Sequence, residues 1–234
     1  MGVNADLLSC QKSLRTIVTD PTAFICANTA LVSPPLVPEI RLRLATEVVP
    51  LWQLTEEELA ASGVPPPYWA FAWAGGQALA RFVIDHPRFV VGQFVLDFGS
   101  GSGLVAIAAA RAGAAHVLAA DVDAFAVAAV KLNADANSAR ISVTTDDLIG
   151  SEGNWQTILV GDMCYERPLA ERLLEWLSVR AAAGATVLLG DPGRSYFPRS
   201  GVEKLATYNV QTTRDLEDRE IRQTSVYALR AAAR

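Results

Sequence analysis

The stretch Val95-Leu96-Asp97-Phe98-Gly99-Ser100-Gly101-Ser102-Gly103 decides how the chain is organised. Its first part is an apolar run that ends in an acid, as a buried strand would, and an Ala-rich helix is predicted to begin at Leu104. Glycines at alternate positions allow a sharp turn and a close approach of the backbone to a ligand, and the first amides of the helix favour an anion. The stretch therefore predicts a nucleotide-type ligand, although a tight strand-to-helix turn without a ligand has the same pattern.

The spacing inside the loop indicates which ligand binds. A dinucleotide fingerprint, G-x-G-x-x-G, needs a third glycine at the position where this chain has Leu104. Asp97 at the strand end would repel a pyrophosphate, but it suits a ligand that carries an ammonium group and a cationic sulfur. We therefore predict S-adenosylmethionine (AdoMet), with its amino group at Asp97. Its carboxylate is expected at the loop amides, which belong to Gly99, Ser100 and Gly101.

An acid also follows the next predicted strand, His116–Ala120. Asp121 stands eighteen residues beyond Gly103, close to the spacing of an acid that binds ribose hydroxyls. We assign Asp121 to the ribose and the neighbouring Val122 to the same cofactor site. Asp123 precedes a long Ala/Val-rich run and is predicted to be the N-cap of a helix.

Length and composition exclude several classes of protein. With 234 residues and 51% apolar content, the chain can bury a substantial core and needs only one domain with an N-terminal addition. A net charge of -5 argues against a nucleic-acid partner. Three cysteines without a C-x-x-C pair or a His cluster predict neither a disulfide framework nor a metal site. Without a long apolar run or a signal-peptide layout, we expect no membrane partner and a cytoplasmic location.

The first 65 residues carry mainly structural signals. Asp6 to Val18 could form a short amphipathic helix, and a capping box at Thr55 predicts another. Ile40 to Leu44 alternates apolar with basic residues, as a half-exposed strand would. An extension of this size could cover a cofactor or dock a partner.

An unusual aromatic stretch, Pro65 to Gln77, precedes the glycine loop and ends in a Gly-Gly pair. It predicts a rigid elbow that leads into a helix from about Gln77 to Ile84. Most of its aromatic side chains are expected in the core. Trp73, just before the helix, could instead form a wall of the cofactor site.

Beyond Asp123 the strands and helices continue to alternate, which predicts a mostly parallel sheet with helices on both faces. Acids again follow a strand at Asp146-Asp147, and we favour Asp147 for the adenine amino group. The predicted elements are a helix from Ala124 to Asn137, strands at Ile141–Thr145, Trp155–Gly161 and Ala185–Gly190, a helix at Pro168–Ala182, a helix at Val202–Ala206, and strands at Tyr208–Thr213 and Thr224–Leu229.

Taken together, the motifs resemble a known family. The glycine loop, Asp121 and Asp162-x-x-Tyr165 after the fourth strand resemble the seven-β-strand lysine methyltransferases that carry a D/E-x-x-Y/F motif. Among these, the electron transfer flavoprotein β-subunit lysine methyltransferases are similar in three stretches: Pro66-Pro67-Tyr68-Trp69-Ala70-Phe71-Ala72-Trp73, Leu159-x-Gly161-Asp162-Met163-x-Tyr165 and Gly190-Asp191-Pro192-Gly193-Arg194. Amide-nitrogen methyltransferases carry N-P-P-Y where this chain has Asp162-Met163-Cys164-Tyr165, which points away from an amide substrate.

The resemblance implies a Rossmann-like seven-stranded sheet that is mostly parallel, with an antiparallel last strand. It implies an enzyme that transfers methyl groups from AdoMet to lysine side chains of the electron transfer flavoprotein β-subunit. The methyltransferase domain is expected over residues 66–234 and the N-terminal extension over 1–65. The cofactor is expected at Asp97, Gly99, Gly101, Asp121 and Asp147.

Asp162 and Tyr165 are the predicted catalytic residues. A carboxylate can accept a hydrogen bond from an amine and orient it for in-line attack, and Tyr165 would wall the channel. The amine must be neutral to attack, at a cost of roughly 4 to 5 kcal/mol at pH 7 for an ordinary lysine, while a nearby carboxylate favours its charged form. We therefore assign orientation to Asp162, and an N-cap role is the structural alternative. Arg194 could touch an acidic substrate surface or cap a carbonyl.

Two other functions fit the same scaffold. A methyltransferase for a small molecule, or for another protein such as a ribosomal protein, would keep the acids of the cofactor site. A cofactor-binding regulatory module would bind AdoMet without turnover. Cys164 lies inside the Asp162 motif, but neither histidine sits in a motif that would activate it, so a buried apolar role is expected.

Overall fold

The computed structural model describes residues 20–45, 66–212 and 221–230 of the chain. Within these ranges a short hairpin and a seven-stranded sheet are formed. The helices are α1 (Pro21–Asn28), α2 (Ala74–Asp85), α3 (Leu104–Arg111), α4 (Ala124–Ala136) and α5 (Arg167–Ala182). The strands are β1 (Ala30–Val32), β2 (Leu42–Leu44), β3 (Phe94–Phe98), β4 (His116–Ala120), β5 (Ser142–Thr144), β6 (Thr157–Gly161), β7 (Thr186–Asp191), β8 (Val202–Gln211) and β9 (Ile221–Leu229).

The strand order of the large sheet is β5-β4-β3-β6-β7-β9-β8. Strands β3 to β7 are parallel, whereas β9 runs antiparallel to both of its neighbours, β7 and β8. The predicted mostly parallel sheet with an antiparallel last strand is therefore confirmed. The chain moves outward from β3 to β5 and then crosses back to β6, so a crevice is expected between the carboxyl ends of β3 and β6.

Helices cover both faces of the sheet, as the alternation of elements predicts. On one face, Leu79 of α2 and Ile107 of α3 are buried in the same cluster as Leu159 of β6. On the other face, Leu173 and Leu177 of α5 are buried against the opposite side of the same strands. Burial on both faces explains why the central strands are almost continuously apolar.

Helix α2 begins earlier than predicted, at Ala74, so that the Gly-Gly pair lies inside its first turn. A Cβ atom on Gly75 would overlap the carbonyl oxygen of Gly190 in β7, and a Cβ atom on Gly190 would overlap the carbonyl oxygen of Gly75. The absence of both side chains therefore lets the helix backbone lie directly on the strand. This close packing outweighs the low helix propensity of glycine, about 1 kcal/mol per residue, which had favoured a later start.

The prediction of a helix at Val202–Ala206 is wrong, because these residues begin the long edge strand β8. Strand β8 pairs with β9 along most of its length, with a register shift between Lys204 and Ala206. The pairing partner is the next strand, in which Leu229 pairs with Val202, and such pairing overrides a local propensity. The predicted strands Tyr208–Thr213 and Thr224–Leu229 correspond to the second part of β8 and to β9, and Thr213 itself lies outside the described residues.

The described part of the N-terminal segment packs on the rest of the protein. Asp20 caps α1 by accepting a hydrogen bond from the amide of Ala23 at 3.0 Å. Ile25 of α1 is fully buried in a cluster with Trp69 and Phe125. The predicted strand at Ile40–Leu44 appears as β2, paired with β1. The helices predicted at Asp6–Val18 and after Thr55 lie outside the described residues, and the division of the chain after residue 65 stays a prediction.

Candidate active site

A cavity of about 660 Å³ opens at the carboxyl ends of β3, β4 and β6, where the strand order predicts a crevice. A volume of this size accommodates a cofactor. Of the residues predicted to bind a ligand, the following line the cavity: Trp73, Gly99, Gly101, Asp121, Val122, Asp147, Asp162 and Tyr165. The fold thus brings together side chains from both halves of the sheet, whereas Asp97 and Ser100 are not among the lining residues.

The glycine loop has the backbone conformation that its sequence predicts. Gly99, Gly101 and Gly103 all have positive φ angles, of 67°, 48° and 80°, which glycine adopts without strain. A Cβ atom on Gly99 would overlap the side chain of Met163, which lies across the loop from the β6 side. The loop is therefore closed against a residue of the Asp162 motif and borders the cavity with backbone atoms.

Asp121 connects β4 to this loop. Its Oδ2 accepts a hydrogen bond from the amide of Gly101 at 2.9 Å, and its Oδ1 accepts one from the amide of Asp123 at 3.0 Å. Burial raises the pKa of the Asp121 carboxyl above its ordinary value, and the two amides act in the opposite direction. Since each carboxylate oxygen can accept a second hydrogen bond, Asp121 retains acceptor capacity toward the cavity.

The predicted N-cap role of Asp123 is confirmed. Its Oδ1 accepts a hydrogen bond from the amide of Phe125 at 2.8 Å, in the first turn of α4. Burial and, to a lesser extent, the charge of Asp121 raise the pKa of the Asp123 carboxyl to about 6, against the opposing effect of the Phe125 amide. The two neighbouring acids therefore have separate structural partners, as the sequence predicted.

Asp97 and Ser100 lie behind the cavity wall. The Asp97 side chain is 1% exposed, and its Oδ2 accepts a hydrogen bond from the amide of Ala106 in α3 at 2.8 Å. Burial and, to a lesser extent, the charge of Asp121 raise the pKa of this carboxyl to about 7, against the opposing effect of the Ala106 amide. The Ser100 hydroxyl is buried without a hydrogen-bond partner among the described residues. The cofactor contacts assigned to these two residues stay predictions.

The far end of the cavity is formed by exposed residues after β4 and β5. Val122 is 72% exposed and lies on the rim. Asp147 accepts hydrogen bonds from the amide of Ile149 at 3.0 Å and from the guanidinium of Arg172 at 3.1 Å. Its neighbour Asp146 also lines the cavity and accepts a hydrogen bond from the Thr144 hydroxyl at 2.6 Å. Either acid can therefore face a ligand at this end.

Asp162 is a buried acid that follows β6 and lines the cavity on the side opposite Asp147. Its backbone has a positive φ of 63°, which few residues other than glycine adopt. Its Oδ2 accepts a hydrogen bond from the amide of Gly75 at 2.9 Å, and its Oδ1 accepts one from Nε of Arg194 at 2.5 Å. The alternative prediction, that Asp162 caps a helix, is wrong, because the N-cap of α5 is Glu166. The carboxylate is instead held between α2 and the loop after β7 at the cavity wall.

Three aromatic side chains stand beside Asp162. The ring of Tyr68 lies 5.9 Å from that of Trp73 and 5.6 Å from that of Tyr165, measured between ring centroids. Trp73 is the N-cap residue of α2, and its indole N–H donates to the carbonyl oxygen of Tyr68 at 2.9 Å. Tyr165 is 41% exposed, and partial burial with nearby acidic groups raises the pKa of its hydroxyl to about 12. Trp73 lines the cavity, and its predicted role as a wall of the cofactor site stays a prediction.

Arg194 forms an ion pair with Asp162 that was not predicted from the sequence. The two roles predicted for Arg194, contact with an acidic substrate surface or capping of a carbonyl, stay predictions. Asp191 shapes the turn that presents it, because its Oδ1 accepts hydrogen bonds from the amides of Gly193 at 2.6 Å and Arg194 at 2.7 Å. Burial raises the pKa of Asp191 to about 6. The Asp-Pro-Gly-Arg turn after a buried strand was the available signal.

The charges around the cavity favour a cationic ligand. Of the residues that the structure describes, two arginines line it, and both are paired with lining acids, Arg172 with Asp147 and Arg194 with Asp162. The remaining acids, among them Asp121, leave the wall with an excess of negative charge. Within the ranges that the structure describes, no group of three or more His, Cys, Asp and Glu side chains is arranged to hold a metal ion. The excess of carboxylates over guanidinium groups on the wall suits a ligand with a positive charge.

Comparison with known proteins identifies close relatives of this chain. A protein of Xenopus laevis named electron transfer flavoprotein beta subunit lysine methyltransferase is 42% identical over 222 residues, which cover 92% of this chain and 89% of the relative. The Homo sapiens protein of the same name is 39% identical over 185 residues, or 77% of this chain and 70% of the relative. The Xenopus match covers more residues than 66–234 contain, so the similarity extends into the N-terminal segment.

Two further comparisons concern the central part of the fold. Residues 86–160 match the family model described as ribosomal protein L11 methyltransferase (PrmA). The crystal structure of magnesium protoporphyrin IX methyltransferase from Synechocystis PCC 6803 with bound SAM is similar with a TM-score of 0.50 and 19% identity, covering 67% of this chain and 80% of the other. At this identity the likeness concerns the fold.

None of the described helices combines the length and the apolar character needed to cross a membrane.

Proposed function

Because the chain belongs to the electron transfer flavoprotein β-subunit lysine methyltransferase family, we propose that it transfers methyl groups from AdoMet to lysine side chains of that flavoprotein subunit. It is thus an AdoMet-dependent protein-lysine N-methyltransferase. The main structural support for the proposal is the arrangement of the cavity. Asp162 and Tyr165 lie on one wall, and the glycine loop with Asp121 forms the other.

The residues present fit AdoMet. The excess of acids on the wall suits a ligand with a sulfonium and an ammonium group, and the bare backbone of Gly99 and Gly101 allows its close approach. We assign the ribose to Asp121, with Val122 beside it, and the adenine amino group to Asp147. Trp73 is assigned to the wall near the transferred methyl group. When bound, AdoMet supplies an electrophilic methyl group on a cationic sulfur.

Asp97 and Ser100 complete the proposed cofactor set. Asp97 lies beneath the loop rather than on the cavity wall. We therefore propose that it acts at the ammonium group from behind the loop, in the same position from which it holds the amide of Ala106. The orphaned hydroxyl of Ser100 is a polar atom that a bound ligand or an ordered water can satisfy.

On the acceptor side, Asp162 orients the incoming amine and Tyr165 walls its path. The carboxylate is fixed by the amide of Gly75 and by Arg194, so it has one defined orientation. Such fixed geometry is what in-line transfer requires, because a bound near-attack arrangement supplies much of the rate enhancement. Tyr165 and Tyr68 are each about two-fifths exposed, 41% for both, so they can contact a lysine that enters from the solvent.

The direct test is transfer to the isolated flavoprotein. The purified chain is incubated with AdoMet and with recombinant electron transfer flavoprotein, and intact masses of both subunits are recorded with time. We expect the β-subunit to gain multiples of the mass of a methylene group and the other subunit to stay unchanged. Transfer to neither subunit, with AdoMet binding intact, would refute the proposed substrate.

A second protein substrate has one supporting observation, the match of residues 86–160 to the ribosomal protein L11 methyltransferase model. This match covers the cofactor loop and Asp121 but ends before Asp162. It therefore concerns the part of the chain that binds the cofactor. Ribosomal protein L11 is included in the same assay, and selective labelling of L11 would favour this alternative.

A further inference from the structure

Arg194 is held in place beside Asp162 from several sides. Its Nε lies 2.5 Å from Oδ1 of Asp162, and the two side chains are 19% and 5% exposed. The guanidinium carbon also lies 5.9 Å from the centroid of the Trp73 ring. Its own amide donates to Asp191, which fixes the turn. The side chain is therefore a fixed part of the acceptor wall.

The ion pair changes what Asp162 offers to a lysine. A bare carboxylate attracts an ammonium ion and so favours the charged form of the substrate, which cannot attack. The Asp162–Arg194 pair has no net charge. From the described part of the chain, each carboxylate oxygen of Asp162 accepts one hydrogen bond, Oδ1 from Arg194 and Oδ2 from the amide of Gly75. A carboxylate has about four acceptor positions, so Asp162 can still accept a hydrogen bond from a neutral amine.

We propose that Arg194 is a positioning residue of the acceptor site, which neutralises Asp162 so that the substrate lysine is oriented as the free amine rather than held as the ammonium ion. The inference rests on the proposed function, because it concerns the same transfer. The ammonium proton passes to solvent water before the attack. The nitrogen lone pair then forms the new N–C bond while the electron pair of the broken S–C bond stays on sulfur.

The other titratable groups near Asp162 do not replace Arg194 in this role. Burial raises the pKa of Cys164 to about 12 and that of Tyr165 to about 12, so both are neutral at physiological pH. Asp191 carries a negative charge above pH 6 and is partly compensated by two backbone amides and by Arg194. Among the described residues, Asp162 forms its ion pair with Arg194.

The test compares Arg194→Gln and Arg194→Lys with the unchanged enzyme. Single-turnover rates of methyl transfer to the flavoprotein β-subunit are measured with saturating AdoMet between pH 6.5 and 10. Loss of a positive charge within a few ångströms shifts a neighbouring pKa by about 1 to 3 units. For Arg194→Gln we expect the rising, acidic limb of the profile to move about one pH unit or more to higher pH. The deficit relative to the unchanged enzyme should therefore shrink as pH rises.

Arg194→Lys distinguishes the effect of the positive charge from the effect of the guanidinium geometry. It keeps the positive charge but lacks the planar fork, so we expect a lower rate with the pH profile close to that of the unchanged enzyme. Arg167→Gln is the matched control, because Arg167 forms an exposed pair with Glu171 away from the cavity lining. This control should leave both rate and profile unchanged.

A pH-independent deficit in Arg194→Gln, or no deficit, would overturn the proposal and leave the function of the protein intact. If the proposed function were wrong, the result would differ, because the unchanged enzyme would transfer no methyl group to the β-subunit at any pH. Circular dichroism and AdoMet affinity are measured for each variant at each pH. A variant that has lost its fold is replaced by Arg194→Met, which removes the charge and keeps an unbranched side chain.

Discussion

The two halves of the cavity are built in different ways. On the side that we propose binds the cofactor, the contacts are local, since the amide of Gly101 donates to a carboxylate only 20 residues away, at Asp121. On the acceptor side, Asp162 is held by Gly75 and Arg194, which are 87 and 32 residues away. The cofactor half therefore depends on one strand-loop-helix unit and its neighbour. The acceptor half exists only when α2, β6 and the turn after β7 are assembled.

This difference predicts that AdoMet binding and methyl transfer can be impaired separately by mutation. A change in the acceptor half should abolish transfer and spare AdoMet binding, and a change in the cofactor half should weaken AdoMet binding first. Variants that affect both quantities equally would show that the halves are coupled. The predictions that follow test this separation.

The largest effect is expected for Asp162→Asn. Asparagine tolerates the positive φ of this position, so the backbone is retained while the charge is removed. The amide keeps only one acceptor oxygen for Gly75, Arg194 and the substrate amine, and loss of a fixed orientation costs about 100-fold in rate or more. We expect single-turnover transfer to fall by at least about 100-fold while the AdoMet dissociation constant, measured by calorimetry, stays within about twofold.

If Asp162→Asn transferred methyl groups at the normal rate, Asp162 would have no role in orienting the amine. If AdoMet binding were lost together with transfer, the separation of the two halves would be wrong. Glu171→Gln is a suitable control, because its carboxylate pairs with Arg167 on the exposed side of α5. It should change neither quantity.

Asp121→Ala tests the cofactor half. The side chain holds two loop amides and is assigned to the ribose, and hydrogen bonds to charged groups contribute about 1.5 to 3 kcal/mol. This corresponds to an increase of about 10- to 150-fold in the AdoMet dissociation constant. At saturating AdoMet the rate of transfer should recover much of its normal value. Calorimetric titration followed by single-turnover assays measures both.

Two further variants interpret that result. Asp121→Asn keeps an acceptor oxygen and should bind AdoMet with intermediate affinity. Asp85→Ala removes an acid that pairs with Arg81 outside the cavity lining and should leave the affinity unchanged. A normal dissociation constant for Asp121→Ala would show that the ribose is held by other residues.

The same contrast explains what could be predicted from the sequence. The glycine loop, Asp121 and the N-cap Asp123 depend on neighbours in the chain, and their local structure was anticipated. The mostly parallel sheet followed from the alternation of elements, and its antiparallel last strand from the family resemblance. The ion pair of Asp162 with Arg194 could not be anticipated, because it depends on how two separate loops meet above the sheet.

Two errors in the predicted secondary structure, at the start of α2 and at the start of β8, have the same cause. The early start of α2 depends on the contact of Gly75 with Gly190, which lies in a strand of distant sequence. The first part of β8 is a strand because β9 pairs with it, although its own residues are compatible with a helix. Local propensity decided neither case, because long-range packing contributed more to the free energy.

A smaller effect, on pH dependence, is expected from Asp97. Burial raises its pKa to about 7, and its protonated form has no charge with which to attract the ammonium group of AdoMet. Because the ionised form is needed, the affinity should fall as the pH drops through 7. We expect the dissociation constant to rise by about tenfold between pH 8 and pH 6, following the tenfold change in ionised carboxyl per pH unit below its pKa.

Asp97→Asn should remove most of this pH dependence, since the amide does not titrate. Its affinity should resemble that of the acidified parent protein across the whole range. If the parent protein binds AdoMet equally at pH 6 and pH 8, then the buried carboxyl serves the loop and α3 through Ala106 and is not a partner of the cofactor.

The smallest effect separates two adjacent acids at the exposed end of the cavity. Asp147 is assigned to the adenine amino group, but it also pairs with Arg172 at 3.1 Å, and both side chains are about half exposed. Exposed contacts of this kind contribute about 1 kcal/mol or less, so Asp147→Ala should weaken AdoMet binding by about threefold to fivefold. Asp146→Ala is the matched control from the same loop and should change affinity less. Calorimetry measures the AdoMet affinity of both variants. A larger loss of affinity in Asp146→Ala would show that Asp146, which lines the same cavity, contacts the adenine amino group instead of Asp147.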